Sequence, residues 1–283
     1  MTPSLVSGEL ASITGSAGQR SLVRMSNPLS SELDVLRPDM ITGGLTAIAY
    51  NLNRKNQYVR FFERGKTYEL NGDTHHEEQR ISLFLSGKHD VQIWRATSKD
   101  MELADVKAEL EMLIHRCEVR DIVVRPVSHP LLVQAHELVA GKQIIARFGT
   151  VRPSLATRQG VEQPVFFGEV LVETLVAIRA KQTLEYVHIA KYPSVRRDLS
   201  ILLDHSVRFE DLKDAAFRHE KGLLKEVGLF DNFEGKNLPT GKKSYCLSFI
   251  LQDENKTLTD SRIDKTMDKL FRIYEKEFGA EMR

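Results

Sequence analysis

The chain has 283 residues, of which 41% are hydrophobic and 28% charged, an ordinary globular composition with room for two domains that each bury a core. Forty Lys and Arg stand against 39 Asp and Glu, for a formal net charge of +1, which excludes nucleic-acid binding by bulk electrostatics alone. No apolar run approaches the roughly 18 residues of a membrane helix.

Residues 1–20 are rich in Ser, Gly and Ala, lack the apolar centre of a secretory signal, and read as a flexible lead-in. Leu33 to Asn53 reads as helical on either side of Pro38. Tyr58 to Leu70 and Arg80 to Gly87 read as paired strands across the polar turn Asn71-Gly72-Asp73. Ala104 to Arg116 is an amphipathic helix with Val106, Leu110, Leu113 and Ile114 inward. Lys142 to Val151 and Pro164 to Val172 are strands, separated by a segment opening at Pro153, a good first helical residue. A helical pattern from Glu173 to Ala180 follows, and the chain then runs extended through His188-Ile189-Ala190 to Pro193, where a domain boundary is expected. This first part is an α+β domain on an antiparallel sheet.

The last third alternates cleanly. Leu199, Ile201 and Leu203 fall on one face of a strand, with Asp198, Ser200 and Leu202 on the other. Phe209, Leu212, Ala216 and Phe217 follow helical spacing, and Leu224 to Phe233 reads as a second strand. Tyr245, Leu247, Phe249 and Leu251 form the next alternating strand. The final helix carries Ile263, Met267, Leu270, Phe271, Tyr274 and Phe278, with Thr259 or Asp260 to cap it and Gly279 to end it. A short strand from Ala280 completes a βαββαβ order. If both helices cover the Tyr245/Leu247/Phe249/Leu251 face, the other face is open and mostly small and polar, suited to unpaired bases or to another domain.

Metal and nucleophile chemistry is thin. His75-His76 lies beside Glu77 and Glu78 and reads as solvated, and the distant Cys117 and Cys246 fit no metal-ligand spacing and point to a reducing, cytoplasmic setting. No phosphate loop, nucleophile elbow or catalytic-cysteine context appears.

Several segments together carry a resemblance. In the last third these are Lys191-Tyr192-Pro193-Ser194-Val195-Arg196-Arg197-Asp198-Leu199-Ser200, then Leu229-Phe230-Asp231-Asn232-Phe233-Glu234-Gly235, Gly241-Lys242-Lys243-Ser244-Tyr245 and Thr257-Leu258-Thr259-Asp260. Earlier come Asn27-Pro28-Leu29-Ser30, Leu36-Arg37-Pro38, Gly43-Gly44-Leu45, Phe61-Phe62-Glu63-Arg64-Gly65-Lys66-Thr67-Tyr68, His129-Pro130 and Gly149-Thr150-Val151-Arg152-Pro153. No one of these is specific, but their order and spacing resemble the C-terminal region of bacterial-type phenylalanyl-tRNA synthetase β subunits from about Ser21 onward.

The resemblance implies a non-catalytic class II synthetase-like domain over 21–187, then a ferredoxin-like anticodon-binding domain over 190–283. It implies the C-terminal part of a longer subunit in an assembly of two α and two β chains. There the α subunit uses ATP and Mg to make phenylalanyl-adenylate and charge tRNA(Phe), and this region itself binds no cofactor. Catalysis of that class needs arginines on the phosphates. Here the strand and helix Phe166-Phe167-Gly168-Glu169-Val170-Leu171-Val172-Glu173-Thr174 lack the expected glycine pair and hold no arginine before Arg179, while Arg60 and Glu63 resemble a second class II motif with the spacing off by one.

Asn27, Pro28 and Arg37 are the implied α-subunit contacts, or else merely shape a loop and helix start. For tRNA the candidates are Arg196 and Arg197, Lys242 and Lys243, and more weakly Asn232 and Phe233, since cations hold phosphates and exposed aromatics stack on bases. Arg197 suits an ion pair with Asp198 as well, and Lys242-Lys243 suits a solvated turn. From Lys191 to Arg283 cations exceed acids by only one. That balance also suits a protein-interaction module that never meets RNA.

Overall fold

The computed structural model describes residues 2–13, 22–89, 94, 98–183, 186, 190–235 and 238–283, and divides into units 1–184 and 185–283. The expected boundary segment at His188-Ile189 lies outside the described residues.

The first unit begins with β1 (Leu5–Val6) and α1 (Gly8–Ile13), followed by β2 (Val35–Leu36), α2 (Ile41–Asn53), β3 (Tyr58–Asn71), β4 (Thr74–Gly87) and α3 (Leu103–Arg116). Then come β5 (Ile122–Pro126), β6 (Leu132–Ala140), β7 (Gln143–Val151), α4 (Pro153–Arg158), β8 (Val165–Leu171) and α5 (Val172–Ala180). Strands β3-β4-β8-β7-β6-β5 make a six-stranded, antiparallel sheet. The β3–β4 hairpin turns at Gly72 (φ 59°), between the paired Asn71 and Thr74, as the polar turn predicts. Pro153 is the first residue of α4.

Three expectations are corrected. The N-terminal lead-in is not wholly flexible: Val6 and Ala11 bury against Val35, and β1 pairs antiparallel with β2. Residues 33–40 are not helical, because Val35–Leu36 is claimed by that pairing and Pro38 disfavours helix at Arg37. Strands β5 and β6 went unforeseen; Val133-Gln134 lies at a register shift that blurs their alternation, with Gln134 at φ 49°.

Packing gives the Gly43-Gly44 pair a physical reason. A Cβ on Gly44 would stand 2.1 Å from the Phe84 ring, so only glycine lets α2 settle on the sheet there. Phe84 stacks on Phe61 (4.9 Å) and against Phe167 (5.1 Å), fully buried with Leu45 and Ile48. Helix α3 covers the other face so closely that a Cβ on Gly168 would lie 2.9 Å from Val106 and Leu110.

One line across the six strands is polar. Glu63 lies opposite Ser82, Ser82 opposite Glu169, Glu169 opposite Arg147, Arg147 opposite Glu137 and Glu137 opposite Arg125. The arginines of this row, and Arg37 and Arg80 that reach it, each meet a carboxylate: Arg37 on Glu63 (3.1 Å), Arg80 on Glu78 and Glu169, Arg147 and Arg125 on Glu137 (3.1 and 3.0 Å). Burial holds the Glu169 carboxyl above the usual range, with Arg80 and Arg147 opposing that shift.

The second unit comprises β9 (Val195–Asp204), α6 (Phe209–His219), β10 (Leu224–Phe233), β11 (Lys242–Leu251), α7 (Asp260–Phe278) and β12 (Glu281–Met282). Its sheet has the order β10-β11-β9-β12, and the sequence of elements is the expected βαββαβ. Ile201, Leu203, Leu247, Phe249 and Leu251 face the helices and are buried, each contributing about 1.5–3 kcal/mol of transfer free energy. Thr259 holds the N-cap position of α7 without a side-chain bond, and Gly279 ends the helix at φ 62°.

Tyr274 is fully buried beside Phe249, and its hydroxyl has no hydrogen-bond partner among the described residues. Burial alone raises its pKa far above the normal tyrosine range. Tyr274→Phe is therefore expected to keep or raise stability by about 1 kcal/mol, because it removes an unsatisfied buried group. Urea unfolding checks this, and a loss above about 1 kcal/mol would mean that the hydroxyl is bonded.

Candidate nucleic-acid interface

Because side chains alternate along a strand, the six residues singled out in the second unit do not share one surface. Arg196, Lys242 and Phe233 point to the face away from α6 and α7; Arg197, Lys243 and Asn232 point to the helix side. Strand register settles this: Arg196 pairs with Ile250 and Phe233 with Ser244 on the open face, whereas Arg197 pairs with Phe249 and Asn232 with Tyr245 on the covered one.

Lys243 is 6% exposed, with its ammonium 4.5 Å from the Tyr245 ring centroid. It is a packed residue, and no phosphate reaches it in this arrangement. Arg197 pairs with Asp260 (3.4 Å), and it is Arg196 that bonds Asp198 (2.9 Å). Asn232 Nδ2 donates to Glu234 (3.2 Å). Glu234 also meets His205 (3.2 Å), and these two bonds hold its carboxyl below the usual range. Lys242 lies 3.6 Å from Glu281 at the far edge strand.

The open face carries two further residues that sequence reasoning did not single out, Phe230 and Arg283. Phe230 is 53% exposed and Phe233 40%, unusual for aromatic rings on a sheet. The bulge at Leu229/Asp231 is what turns Phe230 outward. The Arg196 guanidinium lies 5.3 Å over the Phe230 ring, and that of Arg283, beyond β12, lies 5.2 Å over Phe233. Both side chains run across the sheet from the β9–β12 side to β10. Between them lie small or polar groups: Gly228, Ser248, Ser244, and Ser200 with Cys246, whose oxygen and sulfur are 3.2 Å apart. Neither Cys246 nor Cys117 is in a disulfide.

Such a face stacks planar ligands. Its rings and guanidiniums supply π surfaces, its small residues let a base approach the backbone, and its cations are few.

In the first unit, Asn27 and Pro28 lie on an exposed loop whose Leu29 is also exposed. Arg37 does not belong to that surface. Its side chain is 3% exposed and donates to Glu63 (3.1 Å), Thr2 Oγ1 (2.9 Å) and the Lys66 carbonyl (2.8 Å). A contact with another subunit through Arg37 is corrected to an internal strut. His75 and His76 lie on strand β4, exposed, and no cluster of metal-ligating side chains occurs among the described residues.

Comparison with known proteins agrees with this division. Residues 1–172 match the family described as phenylalanyl tRNA synthetase beta chain CLM domain, and residues 190–283 match the ferredoxin-fold anticodon binding domain. Proteins named phenylalanine–tRNA ligase beta subunit are similar in Bacteroides thetaiotaomicron (35% identical; 93% of this chain and 33% of that one) and Porphyromonas gingivalis (34%; 92% and 33%). The same is true in Nitrosospira multiformis (31%; 94% and 33%). The chain thus spans about a third of the length of the curated relatives it matches. The fold is α+β, its second unit a ferredoxin fold. By the match over its first 172 residues, joined to an anticodon-binding domain after residue 190, the chain belongs to the phenylalanyl-tRNA synthetase β-subunit family.

Proposed function

We propose that this chain is the C-terminal part of a phenylalanyl-tRNA synthetase β subunit, packing on a catalytic α subunit and binding the anticodon region of tRNA(Phe). The observation that carries the RNA reading is the open sheet face of the second unit, with Phe230 and Phe233 exposed beneath the guanidiniums of Arg196 and Arg283. Lys242 and Arg196 are the phosphate contacts on this reading; Arg197, Lys243 and Asn232 act on the protein side.

The first unit carries no reaction in this proposal. Adenylate formation needs cations free to meet phosphates, whereas the arginines of the polar row are each paired with a carboxylate. ATP and Mg then serve the whole enzyme through α, in an assembly of two α and two β chains in the cytoplasm. No helix among the described residues is long and apolar enough to cross a membrane. The loop of Asn27 and Pro28 is the proposed α-facing surface.

Titration with tRNA(Phe) and with an anticodon-swapped tRNA, at two salt concentrations, tests the proposal. Tighter binding to the native anticodon is expected. Equal binding to both reduces the interaction to backbone electrostatics. Binding to neither, with α present, leaves the sheet as a protein-interaction surface.

A further inference from the structure

The open sheet face is close to charge balance, since Arg196, Lys242 and Arg283 share it with Glu226, Asp231, Asp198 and Glu281. On the opposite, helical side, three of the four cations of one stripe have no carboxylate partner among the described residues. Along α7, Lys265, Lys269, Arg272 and Lys276 are all exposed, at positions i, i+4, i+7 and i+11 of one stripe. A rise of 1.5 Å per residue sets successive cations about 4.5 to 6 Å apart along the axis, of the order of the spacing of neighbouring phosphates on one strand.

These four cations line a groove of about 480 Å³, which His219 at the end of α6 also lines. One of its two lining acids, and the nearby Glu220, are already engaged. Glu277 meets His219 Nε2 (2.8 Å) and Arg218 (3.6 Å), and Glu220 accepts from Lys269 (2.8 Å). Lys269 also donates to the His219 carbonyl (2.7 Å), which ties the two helices together beside the groove. Lys265, Arg272 and Lys276 have no ion-pair or hydrogen-bond partner among the described residues, against one unengaged lining acid, Asp268.

We propose that the groove between α6 and α7 binds the phosphate backbone of RNA, independently of sequence and on the side away from the sheet. Its lining holds no Phe, Tyr or Trp to stack a base, its one ring, the His219 imidazole, is held by Glu277 (2.8 Å), and Ile273 is its one apolar side chain. It therefore offers charge without the pockets that a peptide's side chains require. The site adds to the salt-dependent part of RNA affinity, to which the near-balanced sheet face contributes only through Lys242 and Arg196.

The test uses the 283-residue chain and a blunt RNA duplex without any loop, titrated across a salt series. In the variant Lys265→Ala/Arg272→Ala/Lys276→Ala the slope of log K against log salt should flatten by roughly 2 to 2.7, for three lost contacts. Lys265→Arg/Lys276→Arg, which keeps the charge, should retain the parental slope, and Phe230→Ala/Phe233→Ala should leave duplex binding unchanged. A triple variant with unaltered thermal melting and an unaltered slope overturns the proposal. So does preferential binding of polyglutamate over the duplex, which would identify an acidic peptide as the occupant. Because the duplex has no anticodon, failure here is separable from failure of the anticodon reading.

Discussion

Arg37→Ala is expected to destabilise the first unit by about 3–5 kcal/mol, the usual consequence of removing one partner from a buried ion pair. The Arg37 and Glu63 side chains are only 3% and 5% exposed. Glu63 accepts from the Thr2 amide (3.0 Å), the Thr2 hydroxyl (2.8 Å) and Arg37 (3.1 Å), so deleting the guanidinium leaves a carboxylate buried with neutral donors only. Gly65 shows how tightly the guanidinium is packed, since a Cβ there would stand 1.9 Å from Arg37 Nη2. Arg37→Met with Glu63→Gln removes both charges and should recover much of the loss, because the penalty lies in the uncompensated charge. A chain of two units need not unfold in one step. Amide hydrogen exchange along β3 and β4, compared with β9 and β11, therefore assigns the effect to the first unit. A change below about 0.5 kcal/mol would show that Arg37 is solvated and available at a surface.

That strut also marks how far the sequence can be read. Periodicity exposes what each element does alone: the alternation of Leu199, Ile201 and Leu203, the stripe of α7, the turn at Gly72 and the proline opening α4 all appear in the structure as expected. The polar row from Glu63 to Arg125 has no such signature, because each of six strands contributes one residue and only the register aligns them. The pairing of β1 with β2 is equally hidden, since two residues in each strand carry no period. Arg196-Arg197 and Lys242-Lys243 each look like a double positive charge in the sequence. Alternation sends their members to opposite faces, leaving one cation of each pair on the open face. Alternation from Tyr245 would have predicted that separation. The outward turn of Phe230 and the reach of Arg283 across the sheet could not be foreseen, since the first needs the bulge in β10 and the second the pairing of β12 with β9.

The functional counterpart concerns those two rings. Phe230→Ala and Phe233→Ala are each expected to weaken binding of the anticodon stem-loop by about 1–3 kcal/mol, the range for one lost base–aromatic stack. That corresponds to roughly 5- to 150-fold in affinity. Both rings are exposed, so truncation should move folding stability by no more than about 0.5 kcal/mol, and the loss reads as a binding effect. The salt series separates stacking from charge. A ring carries no counterion, so the Phe variants should lower log K equally at every salt concentration. Lys242→Ala should instead change the slope by about 0.7, the single-strand value for one phosphate contact. Lys243→Ala serves as the internal contrast: its ammonium is buried over Tyr245, so it should reduce stability while leaving the RNA slope alone. If both Phe variants bind the stem-loop like the parent chain while Lys243→Ala alters the slope, the open face is not where RNA lies. The assignment of the two sheet faces would then have to be reversed.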